Sequence, residues 1–469
     1  MGIIRGTHTS PGIYTQITDI INAKKQPTTR VGAIGYNTTK NHNKNNNGGG
    51  DKPKPSVKNY LTFTALEDNC SIGFYNNPDS SIEPTVEYSF DKNTWNVLTE
   101  DRVSIPQSTN MYCRGINPEG ISGGYEESGY NYFIGEGKFN VSGDIMTLID
   151  YNTIPETMVG TFYNLFGRHE EDFVDIVDAS KLVLSAKVLT SDCYQRMFDS
   201  CISMTYCPQF KTEVLAPYCY HTIFFGCGSL TIAPALPVTT LAEGCYHGMF
   251  SNCTSLTKSP ELPATELTTG CYNSMFYNCT NLTKVPNELP ATTLADYCYE
   301  SMFQGCTSLT TAPELPATTL ADNCYYQMFM GCSSLTTAPE LPATTLTNGC
   351  YGGMFYNCTS LTVVPTILPA TELSNSCYYD MFRNCTKLLI APELPATTLT
   401  DHCYYFMFSN CPKLHTIKCL ATDMSENLCK YNWVYNVSNS GVFIKHPNAT
   451  WSTGDSGIPS GWTVEDAVL

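Results

Sequence analysis

Eighteen cysteines of this chain fall in nine pairs, each pair eight residues apart: Cys193/Cys201, Cys219/Cys227, Cys245/Cys253, Cys271/Cys279, Cys298/Cys306, Cys324/Cys332, Cys350/Cys358, Cys377/Cys385 and Cys403/Cys411. Successive pairs step by 26 or 27 residues, and a degenerate further unit begins at Cys429. So regular a register admits only a repeat architecture, in which each unit hides its apolar face against the next. The 27-residue steps carry their extra residue between Pro286 and Pro290 and between Pro365 and Pro369. An insertion confined to one bend is solenoid behaviour.

Within a unit, Leu stands four residues before the first Cys, Tyr one after it, Met or Ile four after and Phe five after, as in Leu320, Cys324, Tyr325, Met328 and Phe329. Those positions share one face of a helix. Asp or Asn two residues before the Cys (Asp296, Asp322, Asn348, Asn375, Asp401) suits a helix start. Gly or Asn seven residues after it (Gly226, Asn252, Asn278, Gly305, Gly331, Asn357, Asn384, Asn410) tolerates the left-handed conformation that ends one. The pattern predicts a short helix of two to three turns per unit. A proline-laced segment follows, Leu309 to Leu320 for example. Prolines at that density permit one short ladder step and a turn per coil. At a strand spacing of about 4.8 Å, ten coils make a rod roughly 50 Å long.

The chain has 469 residues, with 43 acidic and 26 basic side chains for a net charge of −17, which argues against a duplex nucleic-acid binder or a polybasic membrane-surface protein. Only 15% of residues are charged, against about 25% in ordinary domains, so Thr, Asn, Ser and Tyr must meet the solvent. The N-terminus shows no apolar run before a small-residue cleavage site, and no stretch is long and apolar enough to span a bilayer. A soluble product made in the cytoplasm is expected. Up to residue 55 there are eight Lys or Arg and two Asp or Glu, net +6, leaving −23 on the remainder. A cationic arm precedes an anionic body.

The expected organisation is an extended arm (1–40), a flexible Asn/Gly-rich linker (41–55), a small all-β sandwich (56–150), an N-terminal cap coil (151–190), the solenoid (191–428) and a C-terminal capping repeat (429–469). The sandwich rests on alternation in Leu61–Leu66 and Val86–Phe90, with turn residues between short runs. The expected fold class is therefore an α/β solenoid of about ten coils of 26 to 27 residues, preceded by a β-sandwich and an arm.

The unit Leu-Pro-Ala-Thr-Thr-Leu-x-x-x-Cys-Tyr-x-x-Met-Phe-x-x-Cys-Thr-x-Leu resembles the Bacteroides-surface-antigen class of leucine-rich repeats over about residues 160–465. The tail from Gly441 to Val464 resembles the closing cap of the same proteins, and Gly137–Met146 the β module that often precedes them. That resemblance implies adhesion and recognition rather than chemistry, because the fold itself carries no reaction. Ser10–Gln16 and Thr29–Tyr36 resemble the N-terminal segment of contractile-phage tail-sheath proteins. There it is an arm that docks on a neighbouring subunit, which implies virion docking through Pro11, Gly12, Ile13, Tyr14, Thr15, Val31, Gly32 and Ile34.

The candidate chemistry is thin. A helix would hold the two cysteines of a unit roughly 9 Å or more apart, beyond the bridging limit near 7 Å, so they are expected as buried thiols packing like small hydrophobes. Cys and Met at four-residue spacing are soft metal ligands, but Leu, Tyr and Phe on the same face favour core packing, and no zinc-finger spacing occurs. Gly454-Asp455-Ser456-Gly457 echoes a trypsin-like nucleophile segment without its upstream His segment. Ser89–Trp95 is close to a sialidase β-turn box, itself a structural turn. No H-E-x-x-H or phosphate loop is present. No catalytic residue, metal or cofactor is expected.

What remains is surface. Positions two, three and six after the first Cys vary from unit to unit while the core columns do not. Tyr277, Tyr326, Tyr356, Tyr379, Tyr405 and Phe406 are the candidate ligand-binding residues, together with the Thr-rich face at Thr257, Lys258, Thr283, Lys284, Thr310, Thr311, Thr336 and Thr337. The expectation is a non-enzymatic phage structural protein in the virion, docked by its arm to other virion proteins and displaying the solenoid toward a host-surface protein or glycan. Nucleic-acid and membrane partners are not expected; a homo-oligomer is compatible with the sequence. A bacterial cell-surface adhesin of the same repeat class is the alternative, and a hydrolase a distant third.

Overall fold

The computed structural model describes residues 58–123, 129–168, 173–426 and 428–468. The chain divides into two units, Met1–Ser56 and Val57–Leu469, and the described residues belong to the second. The arm and linker, with the docking residues Pro11 to Thr15, Val31, Gly32 and Ile34, lie outside the described residues.

Eight strands come first: β1 (Leu61–Ala65), β2 (Cys70–Tyr75), β3 (Val86–Ser89), β4 (Asn96–Val97), β5 (Val103–Ile105), β6 (Asn110–Gly115), β7 (Tyr132–Glu136) and β8 (Lys138–Asp144). Alternation sets their inner face: Phe139 and Val141 of β8 are buried, while Asn140 and Ser142 are half-buried. β5-β2-β7 form one sheet, and Phe133 on β7 packs at 5.0 Å against Phe63 on β1 of the other. A one-turn helix α1 (Thr147–Asp150) follows, and then β9 (Asp175–Leu184), which pairs in parallel with both β8 and β10 (Gln209–Phe210). The larger sheet therefore runs β10-β9-β8-β1-β6-β3-β4 and crosses the expected boundary at residue 150. Backbone hydrogen bonds thus join the β module to the first repeat coil with no linker between them.

The repeats themselves correct the expected helices. In each unit the segment around the Cys pair is a run of consecutive turns with a left-handed residue at every fourth position. In the unit of Cys324 these are Asn323 (φ 54°), Gln327 (54°) and Gly331 (76°). The position seven after the Cys is left-handed as expected, but so are those one before and three after, where Gln327, Ser301 and Thr222 gave no warning. The hydrogen bonds explain the preference. Tyr326 N–H donates to Asn323 O (3.1 Å) and Met328 N–H to Tyr325 O (3.2 Å), closing local turns. In between, Tyr325 N–H donates to Cys350 O (3.0 Å), Gln327 N–H to Gly352 O (2.8 Å) and Phe329 N–H to Met354 O (3.0 Å), all in the next coil. A helix would have spent those groups inside one coil; here every second amide ties a coil to its neighbour. The Asp at position −2 is not a helix cap either: Asp296 and Asp322 accept from the backbone N–H of Asp322 and Asn348, one coil on (3.1 and 3.0 Å).

The proline-laced segments give more than one ladder step per coil. Thr311, Glu314 and Thr319 each make an isolated parallel bridge to an adjacent coil. Pro313 and Pro316, which lack an N–H, fall between them and keep each bridge to one residue.

Inside, identical side chains stack in columns. Tyr299, Tyr325 and Tyr351 lie 5.8 Å apart ring to ring, and Phe303, Phe329 and Phe355 lie 5.7 Å apart. The thiols are buried in the same core, and the second Cys of a unit has a partner: Cys332 Sγ–H donates to Phe303 O and Cys358 to Phe329 O, both at 3.1 Å. Burial pushes the Cys332 thiol up to about 12, so it stays protonated. Trp433 ends the Tyr and Phe columns, against Tyr404 at 6.0 Å and Phe408 at 6.1 Å. Beyond it β11 (Thr416–Cys419), β12 (Val442–Lys445) and β13 (Thr463–Asp466) close the stack as a parallel sheet.

Candidate recognition surface

The left-handed turns decide which side chains reach solvent. In a four-residue turn period, the first Cys, the Met four on and the second Cys eight on point inward with Tyr and Phe beside them, and the positions two, three and six after the first Cys lie toward the surface, half-buried in most units and with buried polar side chains at Gln195, Asp199, Ser251, Ser301, Asp380 and Ser409. Counted two after the Cys, the column reads Gln195, His221, His247, Asn273, Glu300, Tyr326, Gly352, Tyr379, Tyr405 and, from Cys429, Tyr431. It changes from polar to aromatic along the stack.

The polar half is a ladder. Gln195 Nε2 and His221 Nδ1 are 2.8 Å apart, the His221 and His247 rings 4.7 Å, and Asn273 Nδ2 donates to Glu300 Oε2 at 2.7 Å. Burial holds His247 down to about 4 and pushes Glu300 up to about 7, against the Asn273 hydrogen bond, which favours the charged carboxylate. Because the folded value of Glu300 is the higher one, its contribution to stability is complete below the unfolded value of 4.5 and disappears as pH rises through about 7. A shift of that size is worth up to about 3 kcal/mol. The His247 contribution runs the other way: it is present above 6.5 and lost as pH falls toward 4. Glu300→Gln should therefore raise the melting temperature at pH 8 while changing it little at pH 5. An equal effect at both pH values would rule out a buried, titrating Glu300.

In the aromatic half the sequence candidates converge. Tyr326 lies against Gly352, where a Cβ would come within 2.8 Å of its ring. Tyr379 stacks on Tyr405 (5.1 Å between centroids, 5° between planes), and Tyr405 on Tyr431 (5.4 Å). Phe406 meets Tyr405 and Tyr431 edge-on at 4.6 and 5.6 Å. The Arg383 guanidinium sits over Phe406 at 4.6 Å and over Tyr356 at 5.5 Å, with Asp380 Oδ1 3.3 Å from Nη1. Burial, then Asp380, push the Tyr379 hydroxyl up to about 12. Tyr356, Tyr379, Tyr405 and Phe406 are thus brought into one patch with Tyr326 at its margin, whereas Tyr277 makes no ring contact with it. All six candidates are half-buried rather than fully exposed.

The sequence missed three members. Tyr431, 41% exposed, belongs to the same column counted from Cys429, and extending the register into that degenerate unit finds it, together with Tyr435 (47% exposed) six after that Cys. Asp380 and Arg383 lie in the variable columns and gain meaning only from their ring neighbours. The Thr-rich residues Thr257, Lys258, Thr283, Lys284, Thr310, Thr311, Thr336 and Thr337 are exposed in a different part of the coil, the proline-laced segment. Two shallow clefts, about 410 Å³ beside Tyr206 and Ile232 and about 370 Å³ beside Lys187 and Lys211, are not lined by patch residues.

The motifs with catalytic echoes are occupied structurally. Lys430 Nζ donates to Ser456 O, Asn432 N–H to Ser456 Oγ and Trp433 Nε1 to Gly457 O, each at 2.8 Å, so Gly454–Gly457 anchors the end of the stack. Asp91 in the Ser89–Trp95 turn accepts from the N–H groups of Thr94 and Asn93, which hold its carboxyl down to about 2. Among the described residues no group of three or more His, Cys, Asp or Glu could hold a metal ion, and no helix is long and apolar enough to cross a membrane.

Stacked coils of 26 to 27 residues with a Leu-led segment in each define a leucine-rich-repeat solenoid. Residues 220–338 and 323–431 match the family described as the BspA type leucine rich repeat region, in six copies. A leucine-rich repeat protein from Bacteroides ovatus ATCC 8483 is similar at 17% identity over 56% of this chain and 83% of that one, with a TM-score of 0.19. A leucine rich cell surface protein from Faecalibacterium prausnitzii A2-165 is similar at 14% identity over 73% and 95%, with a TM-score of 0.23. No curated protein matches the chain.

Proposed function

We propose that this chain is a non-enzymatic adhesion protein of the cell-surface leucine-rich-repeat kind, which uses its coils as a rigid frame and the aromatic end of the turn face as its contact region. The BspA-type repeat favours a surface-adhesin role over the virion role expected above. One observation carries the reading. Along a frame whose Cys, Tyr, Met and Phe columns barely change, the outer column turns from polar to aromatic, and the hydroxyls of Tyr356, Tyr405, Tyr431 and Tyr435 have no hydrogen-bond partner among the described residues. Rings already stacked on one another lose little freedom on binding, and free phenols supply directional contacts.

The test is retention on a mucin-coated surface or on host cells. Tyr405→Ala/Tyr431→Ala should keep the circular dichroism spectrum of the parent and lose binding at least about tenfold, since two contact aromatics are each worth more than about 1 kcal/mol. Full retention by a folded double variant would remove the patch from the account. The virion reading rests on the short resemblance of residues 10–16 and 29–36. Deletion of residues 1–40 should then abolish incorporation into particles, and undiminished incorporation would end it.

A further inference from the structure

We infer that the patch around Arg383 takes a neutral saccharide, bound through a pair of adjacent hydroxyls; this deepens the recognition reading above and rests on it. The Arg383 guanidinium lies over the rings of both Phe406 and Tyr356 and is paired with Asp380. Its Nε is closed off from solvent and its Nη1 lies 3.3 Å from Asp380 Oδ1, while the side chain is 30% exposed, which leaves Nη2 as the guanidinium nitrogen with no partner among the described residues. Beside Phe406 the stacked rings of Tyr405 and Tyr431 present hydroxyls that both donate and accept. A sugar diol, each hydroxyl of which also donates and accepts, can satisfy the guanidinium and a phenol together. The apolar rims of Phe406 and Tyr431 cover its C–H face.

Charge decides between neutral and acidic sugars. Asp380 already counters Arg383 at 3.3 Å, and the chain after residue 55 carries −23, so a carboxylate or sulfate would be repelled by the body and meet a cation that is already paired. A protein ligand is the alternative, and the periodate and protease arms of the test separate it from a saccharide.

The experiment presents the full chain to an array of defined neutral, sialylated and sulfated oligosaccharides, and to mucin-coated wells left intact, oxidised with mild periodate, which cleaves adjacent diols, or digested with protease. The expected result is retention on neutral oligosaccharides and on protease-treated mucin, lost after periodate. Arg383→Met and Asp380→Asn should weaken it about tenfold to a hundredfold, Arg383→Lys should fail to restore it, and Glu261→Gln, in the proline-laced segment, should bind as the parent. Asn tolerates the left-handed backbone at position 380 (φ 53°), so that variant keeps the turn. Retention confined to acidic sugars overturns the inference. So does mucin binding that survives periodate and is lost to protease, which leaves the recognition reading intact with a protein ligand. Failure of the parent to bind any surface removes both.

Discussion

Replacing Phe329 by Ala is expected to destabilise the chain by about 3 to 5 kcal/mol. Phe329 is fully buried and packs at 5.7 Å against Phe303 on one side and Phe355 on the other. Removing it leaves a void that coils tied together at every second amide cannot close by sliding, so the cavity cost adds to the lost transfer energy. In a stack each coil contacts only its neighbours, so the break separates the array into two shorter blocks, and unfolding in denaturant should lose cooperativity as well as midpoint. Thr310→Ala, on the exposed proline-laced segment of the preceding unit, should stay within about 0.5 kcal/mol. A loss of 1 kcal/mol or less for Phe329→Ala would mean that the Phe column does not carry the stack.

Position 327 separates turns from helices by the sign of one substitution. Gln327 is left-handed at φ 54°, and its N–H donates to Gly352 O in the next coil. Gly adopts that backbone without strain, so Gln327→Gly should leave the melting temperature unchanged or raise it, whereas in a helix interior the same change costs about 1 kcal/mol. Gln327→Pro should cost more than about 3 kcal/mol, because proline can neither take a positive φ nor donate the bond between coils. A lowered melting temperature for the Gly variant would restore the helix.

The buried columns were legible because composition at a fixed register needs no knowledge of backbone geometry. Leu320, Cys324, Tyr325, Met328, Phe329 and Cys332 are buried, as their invariance from unit to unit demands. The backbone was misread because one face of a helix and one face of a four-residue turn differ only in drift. Positions four apart in a helix rotate by about 40° each time, so Leu at −4 and the second Cys at +8 would lie about 120° apart. An unbroken spacing of four is the mark of the turn. Gln327, Ser301 and Thr222 concealed it, since their types do not advertise a positive φ as Gly331 does. The pairing of β9 with β8 was out of reach because it joins Asp175–Leu184 to a module expected to end at residue 150. In the patch, unit-to-unit variation pointed to Tyr379, Tyr405 and Phe406; the grip of Asp380, Tyr356 and Phe406 on Arg383 needs the stack to bring neighbouring coils together.

Excising one unit tests the stacking most directly. Deleting residues 324–349 joins Asn323 to Cys350 in register, so every column is shortened by one rung with its order kept. The shortened protein should unfold in one transition close to that of the parent and keep its near-ultraviolet aromatic dichroism. Deleting only residues 324–336 puts every later column out of register and should abolish that signal. If the whole-unit deletion disrupts the protein as badly as the half-unit deletion, the coils are not interchangeable rungs of one stack and the account fails.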